Sequence, residues 1–127
     1  MNTVENFAEL AGRILLSAIF VLSGIGKITG YAGTQAYMAS QGVPGALLPA
    51  VIAVELLGAI AIIVGWNTRV AAFLLGGFTL LSALIFHNNL QDQMQMIMFL
   101  KNVAIAGGFM FLVAHGAGAL SLDRRGA

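Results

Sequence analysis

The sequence predicts an all-α integral membrane protein, an antiparallel four-helix bundle, and two observations carry that prediction. The 127 residues are 59% hydrophobic and only 9% charged, a balance that a soluble domain of this size cannot hide from water. The apolar residues are also not scattered. They gather in four stretches, at residues 10–28, 46–64, 70–86 and 94–114, each about 17–21 residues long. At about 1.5 Å per helical residue, such stretches cross a hydrocarbon core of about 30 Å once flanking residues or tilt are allowed for. They lack the period-2 alternation of a membrane barrel, and lipid offers no partner for an unpaired backbone amide, so helices follow.

The first stretch follows an opening that carries Glu5 and Glu9 where a signal peptide carries Lys or Arg, so it is expected to stay as a span. Arg13 lies near its start and is expected to snorkel to the headgroups. The longest loop, 28–45, has eighteen residues, too few for a separate module, so residues 1–127 are read as one domain. Within that loop, residues 32–41 fit a short helix lying on the membrane surface. Pro44 sits in the turn feeding the second span, and Pro49 falls in that helix's first turn, where a missing N–H costs little. Loops 65–69 and 87–93 are short and force antiparallel neighbours. With four spans, one side holds the termini and Arg13, Arg69, Arg124 and Arg125, against Lys27 and Lys101 on the other. That asymmetry places both termini in the cytoplasm. Trp66 on the inner side, and Tyr31 and Tyr37 on the outer, fit interfacial anchors.

The net charge of +1 comes without a basic run, which argues against nucleic acid as a partner. The absence of cysteine excludes disulfides, thiolate metal sites and a redox thiol of the chain's own. His87 and His115 fall at opposite faces, and the six methionines read as polarizable packing, so no metal site is expected.

Chemistry therefore rests on polar residues within the spans. Glu55 lies about 14 Å into the second span, near the midplane, where an acidic residue costs about 2.5–3.5 kcal/mol on insertion scales. It needs a partner or a proton. Lys101, about 10 Å into the fourth span from the same side, is the partner expected from depth. Asn102 points about 100° away from it and is free for another neighbour. Lys27 and His87 close the first and third spans on that side. The outer half thus gathers Lys27, Glu55, His87, Lys101 and Asn102, a donor-rich set suited to a small anionic ligand or the head of a quinone. Blander readings stand beside it: a Glu55–Lys101 pair that only fixes helix register, a Lys27 that snorkels outward, a His87 that is a solvated cap.

These residues also carry a family likeness. Arg13-Ile-Leu, Ser23-Gly24-Ile-Gly26-Lys27, the loop Gly30-Tyr31-Ala-Gly33-Thr-Gln35-Ala-Tyr37, Gly42-Val-Pro44-Gly45 and Leu48-Pro49 occur in order, followed by Glu55 with Gly58, Phe86-His87, Phe99-Leu-Lys101-Asn102 and Gly107-Gly108. In this ordered set the chain resembles the DoxX family of small bacterial inner-membrane proteins over nearly its whole length. The resemblance implies a multi-pass four-helix protein of the bacterial inner membrane. Some relatives are described as subunits of quinol-linked or thiosulfate-linked oxidoreductases, others as anchors of oxidative-stress complexes.

Three functions are consistent with these readings. The first is an accessory or quinone-interacting subunit of a membrane redox or oxidative-stress system, working with a redox partner protein. The second is a small carrier or channel, which at this size requires a homo-oligomer. The third is a structural membrane anchor with a purely stabilising polar core. Whether the chain is an enzyme is left open by its residues.

Overall fold

The computed structural model describes residues 3–125. The first two residues, part of the leader reading, and the side chain of Arg125, counted in the charge asymmetry, lie outside what it describes. Helices α1 (Thr3–Thr29), α2 (Tyr31–Ser40), α3 (Leu48–Val64), α4 (Thr68–Phe86), α5 (Gln93–His115) and α6 (Leu122–Arg125) follow in order, with a 3-10 turn at Gly45–Leu47 leading into α3. No strand occurs among the described residues. Four helical segments, Thr3–Thr29, Gly45–Val64, Thr68–Phe86 and Gln93–His115, are long and apolar enough to cross a membrane. The four expected spans are these four, each extended by a few residues at its polar ends.

The helices pack as two close pairs, α1 with α3 and α4 with α5, joined mainly through α3 and α4. Helix α1 buries Arg13, Ser17, Phe20 and Gly24, spacings of four, three and four that form a single stripe. At Gly24 helix α1 lies against α3: a Cβ there would stand 2.6 Å from the Leu56 side chain, so any larger residue would force that side chain to shift. Phe20, Ala59, Ile62, Ala72, Leu75 and Phe109 form the common core, with the Phe20 and Phe109 rings 5.5 Å apart between α1 and α5. Large apolar side chains such as Leu22, Leu57, Phe73 and Phe111 remain exposed, the inverse of a soluble bundle and the arrangement lipid demands.

The expected surface helix is α2, at Tyr31–Ser40. It is more than a float on the surface. Met38 is buried beneath it, Gln35 donates to the Gly45 carbonyl at 3.2 Å, and the Tyr37 ring stacks on Phe86 at 5.4 Å. Pro49 lies in the first turn of α3 as expected.

Arg13 departs from the sequence reading. It does not snorkel: its side chain is only 1% exposed. Its guanidinium donates to the carbonyls of Ile62 and Ile63, each at 3.1 Å, and to that of Leu120. Those carbonyls are among the unpaired acceptors at the end of α3 and in the segment after α5, where a cation is favoured by the helix dipole. The C-terminal segment folds back over the same end. Asp123 accepts from the backbone amides of Asn67 at 2.7 Å and Thr68 at 2.9 Å. Asn67 holds a positive φ of 46° and makes no side-chain cap of its own, so Asp123 caps α4 from 55 residues away.

Partial desolvation alone would raise the Asp123 carboxyl, but hydrogen bonding to Thr68 and Asn67, with Arg13 nearby, draws it below its ordinary value of 3.8. Because the folded-state value lies below the unfolded one, this contribution to stability is present above about pH 4 and is lost as pH falls through the folded value. Asp123→Asn is therefore expected to lower thermal stability in detergent by about 1 kcal/mol at neutral pH, the usual worth of a cap. It should also flatten the acid limb of the stability profile. An unchanged acid limb would show that Asp123 does not cap α4.

Candidate functional site

At the end of the bundle opposite the termini, a cavity of about 550 Å³ opens between all four long helices and α2. Lys27, Glu55, His87, Lys101 and Asn102 all line it. Its remaining walls are mostly apolar, with Phe20, Val51, Val54, Phe78, Ile85 and Ile105 among them.

The structure pairs Glu55 with a different lysine from the one expected. Its Oε1 lies 2.7 Å from the Lys27 Nζ, and no ion pair joins it to Lys101. Depth along the helices brought Lys101 level with Glu55, but depth does not say which helices are neighbours. Glu55 lies on α3, whose close partner is α1, whereas α5 packs on α4. The direction of the lysine stem completes the explanation. Side chains on a helix lean towards its N-terminus, so Lys27, at the end of α1, reaches back into the bundle instead of out to the surface. Its Nζ also donates to Ser23 Oγ, one turn earlier, at 2.6 Å. The Lys27 side chain is 26% exposed and that of Glu55 3%, so the carboxylate is the more deeply committed partner.

Among the described residues no carboxylate pairs with Lys101. The lysine is exposed, and its Nζ reaches only Met98 Sδ at 3.4 Å. Asn102, on the adjacent face of α5, donates to the Thr79 carbonyl of α4 at 3.3 Å. Thr79 gives its own hydroxyl proton to Leu75 at 2.6 Å. His87 terminates α4 as its C-cap, with its amide bonded to Ala83. Desolvation, with the Lys101 cation nearby, holds its imidazole below the ordinary value of 6.5, so at pH 7 the ring is neutral and offers one donor and one acceptor. The cavity thus presents a closed ion pair on one wall and Lys101, His87 and Asn102 on another.

The sequence reading did not place Ser23, Thr34, Tyr37, Thr79 or Ser82 at the site, yet all five line the cavity. Ser23 was detectable as the residue four before Lys27 on the same helix face. Tyr37 and Thr34 line the cavity from α2, a role no periodicity marks, because it depends on how the loop folds over the bundle. Among the described residues no cluster of three or more His, Cys, Asp or Glu side chains is placed to hold a metal ion.

A small, apolar, four-span helical protein with a mostly apolar cavity that carries a few charged side chains is the class that this geometry defines. The chain belongs to the DoxX family, whose model matches residues 8–88. It is 48% identical to the inner membrane protein YqjF of Escherichia coli over 98% of this chain and 95% of that one. It is 45% identical to the inner membrane protein YphA of the same organism, over 98% of this chain and the whole of that one. It also shares 31% identity with a Bacillus subtilis protein named "Putative oxidoreductase CatD", over 67% of this chain and 63% of that one. No solved structure matches it. The four spans and these relatives make it a multi-pass inner-membrane protein.

Removing one member of a buried pair leaves the other charge uncompensated, at a cost of about 3–5 kcal/mol. Lys27→Met, which strands the more deeply buried Glu55, is expected to reach that range. Glu55→Gln should cost less, because Lys27 retains a path to solvent. The double variant should be more stable than Lys27→Met alone, whereas Lys101→Met combined with Glu55→Gln should be additive. Thermal unfolding of the set in one detergent measures all of these. Coupling of Glu55 to Lys101 in place of Lys27 would contradict the pairing.

Proposed function

We propose that the cavity binds the head of a lipid-soluble quinone and that the protein serves as an accessory subunit of a membrane redox system. The observation that carries this reading is the juxtaposition of Lys101, His87 and Asn102 on a cavity of about 550 Å³ whose other walls are largely apolar apart from the closed Lys27–Glu55 pair and a few hydroxyls. That volume lies within the usual range of small-molecule sites. Quinone oxygens are acceptors, and ammonium, imidazole and carboxamide groups all donate. The apolar walls suit the ring and the first part of an isoprenoid tail. When bound, a quinone would supply reversible two-electron redox chemistry. The residues of this chain would orient it and hold protons near its oxygens. With no cysteine in the chain, electrons would come from a partner protein. The name of the Bacillus subtilis relative is consistent with such a setting. The unpaired Lys101 cation favours a second reading, a site for a small anion in an oligomeric carrier.

The orientation proposed with this function has both termini in the cytoplasm and the cavity in the outer half of the membrane, following the arginine asymmetry. The native chain lacks cysteine, so single-cysteine variants report topology cleanly. An impermeant thiol reagent added to intact cells is expected to label Ser40→Cys and Asn89→Cys and to spare Trp66→Cys. Labelling at position 66 alone would invert the orientation.

For the ligand, Lys101→Met and His87→Ala are expected to weaken binding of a ubiquinone or menaquinone analogue about tenfold each, as the loss of one charge-assisted or neutral donor implies. Helix content and detergent stability should remain near wild type. Saturable binding is to be followed by calorimetry. Folded wild-type protein that binds no quinone analogue, alone or with its co-purifying partners, would end this reading and advance the anion carrier.

A further inference from the structure

A second cavity, of about 510 Å³, lies at the opposite end of the bundle, where the first turns of α1 and the segment after α5 meet the loop between α3 and α4. Glu9, Arg69, His115, Gly116, Gly118 and Arg124 contribute to its lining. The turn after α5 brings two opposite charges against a single short piece of backbone. Gly116 and Gly118 hold φ values of +76° and +90°. The Arg69 Nε lies 3.2 Å from where a Cβ on Gly116 would stand, and the Glu9 Oε1 2.6 Å from where one on Gly118 would stand. Side chains at either glycine would push these groups away. Yet among the described residues no ion pair joins Glu9 to Arg69, and Glu9 Oε1 has no hydrogen-bond partner. Asp123, the other carboxylate lining the cavity, is already engaged in capping α4.

We infer that this cavity is a headgroup site for a zwitterionic aminophospholipid, with its ammonium directed to Glu9 and its phosphate to Arg69 and Arg124. Two unlike charges held apart on one cavity call for a ligand that carries both signs in the complementary order. The cavity's place in the fold identifies the source. Thr68 opens α4, His115 closes α5 and Glu9 immediately precedes the apolar run of α1, so the cavity sits where the spans leave the hydrocarbon and phosphates are found. Val70, Phe111 and Leu120 nearby are exposed and suited to acyl chains. A primary ammonium fits better than a quaternary one, because only the former can donate to a carboxylate. The inference is independent of the quinone reading, which concerns the other end of the bundle.

Native mass spectrometry of the purified protein in mixed micelles tests it, with phosphatidylethanolamine and phosphatidylcholine of identical acyl chains in competition. The expected result is about a tenfold preference for phosphatidylethanolamine, the worth of one charge-assisted hydrogen bond. Glu9→Gln should reduce that preference to parity. Arg69→Gln, a change at an exposed side chain, should weaken both lipids while leaving the lipid-free melting temperature unchanged. Dissolved O-phosphoethanolamine at equal concentration is expected to displace neither lipid. Equal binding of the two lipids by the wild type, or a preference that survives Glu9→Gln, would overturn the inference. Displacement by O-phosphoethanolamine would do the same, by marking a site for a free phosphate ester.

Discussion

A membrane supplies neither water nor counter-ions at its centre, so a carboxylate placed there has to find its cation within the protein. Much of this bundle follows from how Glu55 meets that requirement. Its partner, Lys27, comes from the neighbouring helix and approaches from above, because a lysine at the end of α1 leans back along its own helix. The close passage of α1 and α3 at Gly24 brings the two into reach. The pair then forms one wall of the cavity, and among the described residues Lys101, on the helix across from it, has no carboxylate of its own. A cation in that position is costly in lipid, a cost that the proposed ligand with acceptor oxygens would offset.

The other end of the bundle solves the complementary problem, that of loose helix termini. Arg13 gathers carbonyls from the end of α3 and from the segment after α5, while Asp123 supplies the cap that Asn67, in its left-handed conformation, does not. Both are long-range contacts that fasten the C-terminal segment across the mouths of α1, α3 and α4. That leaves one end of the molecule held by charge-assisted hydrogen bonds to backbone. At the other end the packing leaves a cavity lined by Lys27, Glu55, His87, Lys101 and Asn102.

The spans were legible in the sequence because their length is set by the bilayer and their composition by lipid, and neither depends on how the helices are arranged. Pro49 and the surface helix were legible for similarly local reasons. The five polar residues chosen by depth all line one cavity, since depth and the cost of burial are properties of a single helix. Pairing within that set was not legible. Choosing between Lys27 and Lys101 as the partner of Glu55 requires knowing that α1, and not α5, is the close neighbour of α3, and periodicity does not encode that. Arg13 was misread for a related reason. An arginine near a span's end has an easy route to headgroups, and only the folding back of Leu120 supplies a better one. No local signal announces an acceptor more than one hundred residues away.

The central claim is that Lys27, and not Lys101, neutralises Glu55 inside the membrane. The chain has only two lysines and three glutamates, so solid-state NMR in bilayers can test this directly. With 15N at lysine Nζ and 13C at glutamate Cδ, a dipolar recoupling experiment reads the ammonium–carboxylate contact as dephasing of a carboxylate signal. The account predicts strong dephasing in the wild type, retained in Lys101→Met and abolished in Lys27→Met. Dephasing that survives Lys27→Met and vanishes in Lys101→Met would contradict it.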